Sequence, residues 1–410
     1  MFAAVTSQSP IVQHPAGILA VLLTVLAVIF WLAEHPVFGR LFKIIPVLVF
    51  CYFVPAALAT AGLIPVESEL YSFVKTFVLP ASLVLLILAL DLKGIVKLGP
   101  KAVVMLLAGT FGVVIGGPIA LLLTGFMLPP DAWQGMSTLA GSWIGGGANM
   151  LALKEASGAS EEMYGAAVVV DAAVGGMWMG ILLYVSGRQK SIDRWTGADA
   201  QAIRDLERRM EDFQERSSRV ASVSDFMQIL AIGFLGGWLS YKTGELLGEF
   251  LAQSETLSFV TVFVPKSAWK YVIVTTLGVA LSLTPARQLE GAGASKLGTV
   301  MIYLLVTCIG AGADFTQIWD NPGFLVMGAI WMLIHVVILL GVGWLIRAPI
   351  FFIAVASQAN IGGAATAPVV ASAFHPSLAP VGALLAIAGY VLGTYCGLLC
   401  MYLLKIVAGI

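Results

Sequence analysis

Hydrophobic residues fall in long unbroken runs, separated by proline, glycine and short charged clusters. The runs predict helices near residues 17–34, 43–63, 70–90, 102–128, 159–187, 225–250, 268–284, 297–313, 323–346 and 378–406. A helix crossing the bilayer needs about 20 consecutive, mostly apolar residues, and these runs approach or exceed that length. They lack the two-residue alternation of a barrel strand, so the fold expected is an all-α polytopic membrane protein. Pro46, Pro80 and Pro118 lie inside spans, as membrane helices tolerate when neighbours satisfy the freed backbone.

Two further stretches, 133–153 and 348–372, are apolar yet rich in glycine. The first holds Gly141-Ser-Trp-Ile-Gly-Gly-Gly-Ala-Asn-Met150. The second holds Ser357-Gln-Ala-Asn-Ile-Gly-Gly-Ala-Ala-Thr-Ala-Pro368. Consecutive glycines destabilise a helix, and unwound backbone at membrane depth survives only where protein buries it or water lines it. Both stretches share an Ile-Gly-Gly-x-Ala-polar core, displaced by 217 residues. Paired interruptions at matching positions of two halves mark the substrate site of a secondary transporter.

Other correspondences follow the same division. Ile18-Leu-Ala20 recurs as Ile229-Leu-Ala231, Asp91 with Ile95 as Asp314 with Ile318, and Gly176 with Gly180 as Gly393 with Gly397. The chain therefore reads as two homologous membrane repeats, 1–187 and 225–410. Between them lies a charged linker, 188–224, in which Ile203, Leu206, Met210 and Phe213 mark a short amphipathic helix.

Cations decide how the Gly-rich stretches sit. If both crossed the membrane fully, the 22 Lys and Arg would divide almost evenly between the two sides. If each dips in and returns, each repeat has about five crossings and the second repeat is inverted. Only Lys75, Lys154, Lys242, Lys266, Lys270 and Lys405 then lie outside, and all other cations, the linker included, are cytoplasmic. The positive-inside rule favours this second topology. The first Gly-rich stretch then enters from outside and the second from the cytoplasm.

Composition agrees. The chain is 59% hydrophobic and 11% charged, whereas soluble domains carry about 25% charged residues. The net charge of −1 offers no nucleic-acid footprint. The first 16 residues lack Lys and Arg, so no cleavable signal peptide is expected. Cys51, Cys308, Cys396 and Cys400 all fall in apolar spans and read as buried small hydrophobes.

The candidate substrate contacts are Ser142, Gly145, Gly146, Gly147 and Asn149 in the first stretch. Their counterparts in the second are Ser357, Gln358, Asn360, Gly362, Gly363 and Thr366. Unwound carbonyls suit Na⁺, and half-helix N-termini suit an anion. Asp171, set in Val168-Val-Val-Asp-Ala-Ala-Val174, is an intramembrane carboxylate and hence a candidate ion ligand or proton carrier. Its repeat counterpart is Ala388, so the charge belongs to one half. Asp171, Asn149 and Thr366 are the expected ion-coupling residues. Tyr390 and Thr394 are placed near the same cavity, Asp91 and Asp314 at span ends, and His335 among aliphatics. Small residues also allow close helix packing, and Gly175, Gly176 and Gly180 fit that simpler role.

No Ser/His/Asp set, His-Glu-x-x-His, phosphate-binding loop or paired metal-ligand spacing is present. The expectation is therefore not an enzyme, with no cofactor and no metal beyond Na⁺ or H⁺ as the coupling ion.

The two Gly-rich stretches resemble those of the YjcL-type bacterial membrane proteins, a family catalogued as a domain of unknown function. More distantly they are similar to glutamate:sodium symporters and to the bile-acid/sodium symporter and sodium/proton antiporter superfamily. The resemblance implies inverted repeats, a core domain that slides against a scaffold, a homodimer, and residence in the bacterial cytoplasmic (inner) membrane. Antiporters of that superfamily typically use two adjacent acidic residues, whereas Asp171 is followed here by Ala172. The function expected is Na⁺-coupled symport of a small anionic or zwitterionic metabolite, such as an amino acid, small peptide or carboxylate. The alternatives are a cation/proton antiporter, or a membrane sensor or scaffold acting through 188–224.

Overall fold

The computed structural model describes residues 10–42, 47–197, 220–254, 256–257, 260–312, 322–375 and 378–410. The amphipathic segment around Ile203–Phe213, Pro46 and Asp314 lie outside these residues.

The secondary structure of the described residues is helical. Eight of the helices are long and apolar enough to cross a membrane: Pro15–Glu34, Glu69–Leu88, Pro100–Met127, Glu161–Ser186, Val223–Gln253, Ala294–Ala311, Gly323–Leu345 and Ala379–Ala408. Each coincides with a span expected from hydropathy. The other two expected spans are shorter: Val47–Thr60 and Trp269–Ser282 have 14 residues each. At about 1.5 Å per residue, each covers less than the roughly 30 Å hydrocarbon thickness. Trp269–Ser282 then bends by 92° into Pro285–Ala292. Pro80 is accommodated by a π turn, Val74–Val78, just ahead of it, and Pro118 stands inside Pro100–Thr124.

The helices sort into two bodies. Pro15–Glu34, Val47–Thr60, Glu69–Leu88, Val223–Gln253, Trp269–Ser282 and Ala294–Ala311 pack mainly on one another and form a scaffold. Pro100–Thr124, Glu161–Ser186, Gly323–Leu345 and Ala379–Ala408 form a core around the two Gly-rich segments.

Both Gly-rich segments are hairpins. In Ala132–Ser157 (hairpin one), helical geometry fails at Gly145 (φ −140°, ψ 17°) and Gly146 (φ 72°, ψ −177°). Beyond the break the chain doubles back, and a Cβ added at Gly141 would lie 2.9 Å from Met150 N. In a continuous helix those residues stand about 13 Å apart, at about 1.5 Å rise per residue. The two ends meet: Gly135 packs against Met163, and Lys154 at the far end pairs with Glu161 at 2.7 Å.

Hairpin two comprises Ile350–Ile361 and Gly363–Phe374, joined at Gly362 and Gly363 (φ 58°). Gln358 and Thr366, eight residues apart, are hydrogen-bonded at 2.6 Å. Phe351 and Phe374, at its two ends, are in edge contact with centroids 5.4 Å apart.

The helix Ala379–Ala408 shows that the hairpins enter from opposite ends. Its Gly382 faces Ala367 of hairpin two, Gly389 and Gly393 face Ile144 and Gly145 at the break of hairpin one, and Gly397 faces Leu153. Lys405, near its end, lies over the ring of Trp133, where hairpin one begins. The end of hairpin two lies with other charges: Lys101 Nζ donates to Arg347 O, and Asp193 accepts from Ile350 N. The cations expected on one side thus share an end with hairpin one, while Lys101, Arg347 and the linker helix Gln189–Thr196 share the other.

Candidate functional site

The two breaks meet. A Cβ added at Gly363 would stand 3.3 Å from Gly146 Cα, and one added at Gly146 would stand 3.7 Å from the Tyr390 ring. Both glycines have positive φ (72° and 58°), a backbone conformation that side-chain-bearing residues rarely adopt. Four half-helix ends converge there. The arms starting at Gly147 and Gly363 present N–H groups without intrahelical partners and positive dipole ends.

Asn149 splints the break in hairpin one. Its amide donates to Gly145 O (3.1 Å) and Tyr390 O (2.9 Å), and its oxygen accepts from Thr394 Oγ1 (2.8 Å). Thr394 is also bonded to Thr275 of the scaffold at 2.8 Å, so one polar thread runs from scaffold to hairpin tip. Gly147 faces Leu48 of the scaffold rather than hairpin two.

Asp171 opens a π turn, Asp171–Gly175, within the span Glu161–Ser186. Ser142 Oγ donates to its Oδ2 at 3.0 Å, and Trp143 Nε1 to its Oδ1 at 2.8 Å. The expected ion residue therefore binds directly to the first Gly-rich motif. Each carboxylate oxygen thus accepts one hydrogen bond and keeps a further lone pair, so both oxygens, with the Ser142 hydroxyl oxygen, can face a proton or metal ion. Trp143 is fully buried and held edge-on by Trp331, 5.3 Å between centroids.

In hairpin two, Gln358 Nε2 donates to Thr366 Oγ1 across the break, while its buried Oε1 has no hydrogen-bond partner among the described residues. Asn360 ties the arm to the helix Pro100–Thr124 through Leu106 O (3.2 Å) and Thr110 (3.4 Å). Ser357 bonds both Trp178 Nε1 (2.8 Å) and His335 Nε2 (2.9 Å).

Ser142 is 3% exposed, Gln358 1%, and Asn149, Ser357 and Asn360 0%, whereas Gly147, Gly362, Thr366 and Asp171 are only partly buried: the polar side chains beside the breaks are covered while the tips stay partly accessible. Asp91 caps the helix Leu92–Lys97 and pairs with Arg287 at 2.7 Å, matching the terminal role expected of it.

Sequence reasoning passed over Trp143, Trp178 and Trp331. Trp143 stood inside the first motif, and Trp178 lies seven residues after Asp171, on the same stripe of its helix; those positions were the available signals. Among the described residues no cluster of His, Cys, Asp or Glu could hold a metal ion.

The pattern of a family described as "Protein of unknown function (DUF819)" matches residues 20–407, and the chain belongs to that family. It is also similar to the "Uncharacterized membrane protein YjcL" of Bacillus subtilis (strain 168). The two are 27% identical over 344 residues, covering 82% of this chain and 84% of that protein.

Proposed function

We propose that this member of the DUF819 family is a secondary active transporter, a symporter that couples a cation, Na⁺ or H⁺, to uptake of a small anionic or zwitterionic metabolite. One observation carries the reading: two hairpins entering from opposite ends meet at glycine breaks, with Asp171 bonded to the wall of one of them. Opposed hairpins give a central site two candidate gates, one per side, as alternating access requires. The converging half-helix N-termini favour a carboxylate or similar anion, and Asp171 supplies the negative charge that a coupling cation needs.

Two reciprocal contacts support an inverted relation between the halves. Val47–Thr60 packs on Ala294–Ala311, while its counterpart Trp269–Ser282 packs on Glu69–Leu88. By the positive-inside rule, the cations grouped with hairpin two and the linker favour the cytoplasm for that end.

The test is thermal unfolding of the purified protein across a panel of amino acids, short peptides and carboxylates, with Na⁺ or with choline. A ligand at 100 times its Kd stabilises the folded state by about 2.7 kcal/mol. At least one metabolite is expected to raise the midpoint, and more so with the coupling ion present. A panel without effect at either pH 5.5 or 7.5, with Na⁺ or without, counts against transport of this class.

A further inference from the structure

The helix Glu161–Ser186 touches both hairpins. It meets hairpin one at Asp171, through Ser142 and Trp143, and hairpin two at Trp178, whose indole donates to Ser357 at 2.8 Å. Donor and acceptor chemistry fixes the direction of the chain at Ser357. Gly109 O only accepts, so His335 Nδ1, 3.0 Å away, carries the ring proton. His335 Nε2 is then bare and takes the Ser357 hydroxyl proton at 2.9 Å. The order is Trp178 to Ser357 to His335 to Gly109, and it uses both ring nitrogens of a residue that is 0% exposed. Hairpin two is thus held in place from two helices at one hydroxyl.

Between Asp171 and Trp178 lies the π turn, Asp171–Gly175. A π turn carries one residue more than an α turn, and such bulges recur at functional sites. Regularising it to α geometry rotates every side chain beyond it, Trp178 first among those bonded to a hairpin. Gly175, which closes the turn, lies against Ile361 of hairpin two: a Cβ added there would be 3.4 Å from Ile361 Cγ2 and 3.6 Å from Asp171 Oδ1. Asp171 and the contact of Gly175 with hairpin two therefore share one short segment, and a switch of that segment between π and α geometry would move both.

We infer that the helix Glu161–Ser186 couples the two hairpins, with Trp178 the positioning residue that carries a change at Asp171 to hairpin two through Ser357. The inference rests on the reading of Asp171 as the coupling-ion site.

Hydrogen–deuterium exchange of the segment 357–366 in the purified full-length protein tests it without knowledge of the substrate. Exchange is scored relative to the scaffold helix 69–88, which cancels general loosening. Asp171→Asn, which mimics the neutralised carboxyl, should change relative protection of 357–366 by between about 5- and 150-fold, the usual range for coupled sites. Adding Trp178→Phe, which keeps an aromatic ring but removes the N–H, should reduce that change to less than about threefold on the same scale. Ser357→Ala should act like Trp178→Phe, and Ser357→Thr should preserve the response. No change in D171N, or an undiminished change in D171N/W178F, overturns the relay. Gradient-driven uptake is measured separately on the wild type. Its absence overturns transport while the exchange result stands, and uptake with an intact exchange response in W178F overturns only the relay.

Discussion

Replacing Gly146 by Ala isolates the backbone at the crossing. Gly146 has φ 72° and ψ −177°, a region open essentially to glycine alone, so an L side chain there costs on the order of 1–3 kcal/mol. Steric crowding adds little, because the new Cβ would lie 3.7 Å from both Gly363 Cα and the Tyr390 ring, ordinary contact distances. Gly180→Ala is the matched control. Gly180 sits inside the helix Gly176–Ser186, and apart from its chain neighbours and its own helix backbone no atom of the described residues stands within 4 Å of an added Cβ. Alanine in a helix interior gains about 0.5–1 kcal/mol over glycine. The two substitutions add the same methyl group and should move stability in opposite directions. With Cys396, which unlike the other three is only partly buried, replaced by Ala, the chain supplies its own reporter, since Cys51, Cys308 and Cys400 are buried and react with a thiol-sensitive fluorophore on unfolding. A Gly146→Ala protein as stable as the wild type would refute the claim that the tip needs this geometry.

Single cysteines at Asp131 and Gly158, the ends of hairpin one, should label from the opposite face of sealed vesicles to those at Arg347 and His375, the ends of hairpin two. Labelling of all four from one face would contradict opposed entry. Asp193 of the linker helix caps hairpin two at Ile350 N (2.8 Å), and burial holds its carboxyl above the ordinary carboxylate range despite that bond. A raised folded-state value means the native protein binds the proton more tightly. The strain of this buried charge is thus relieved as pH falls toward its folded value and is fully present above it. Asp193→Asn keeps an acceptor without the charge, so it should match or exceed wild-type stability at pH 7.5 and flatten the acid-side gain. Asp193→Leu removes the cap and should cost about 1 kcal/mol. Equal midpoints for the two variants would count against the cap.

The spans were legible because lipid imposes a length on every apolar run, and eight of ten matched helices of membrane-crossing length. The reversal of both Gly-rich segments was legible from the balance of cations, since two full crossings would have moved Lys154, Lys242, Lys266 and Lys270 to the cytoplasmic side and the linker's cations to the outside. The partners of the site residues were not. Asp171 finds Trp143 across 28 positions and Ser357 finds Trp178 across 179, and no periodicity links such pairs. Asn149 illustrates the limit. Its polarity beside three glycines suggested ligand contact, but its amide is taken up by Gly145, Tyr390 and Thr394. A residue that frees the backbone must be accompanied by one that satisfies it, and composition does not tell these two roles apart.

The central claim is that the crossing hairpins and Asp171 form one ion-coupled transport site. Its most direct measurement is uptake into proteoliposomes of the metabolite that stabilises the protein, under an imposed inward Na⁺ or proton gradient. The wild type should accumulate it above the external concentration under one of the two gradients. Asp171→Asn, with an unchanged thermal midpoint, should lose accumulation by about 10²-fold or more, because roughly 3 kcal/mol of ion binding is removed with the charge. Equal accumulation by the wild type and Asp171→Asn would contradict the account.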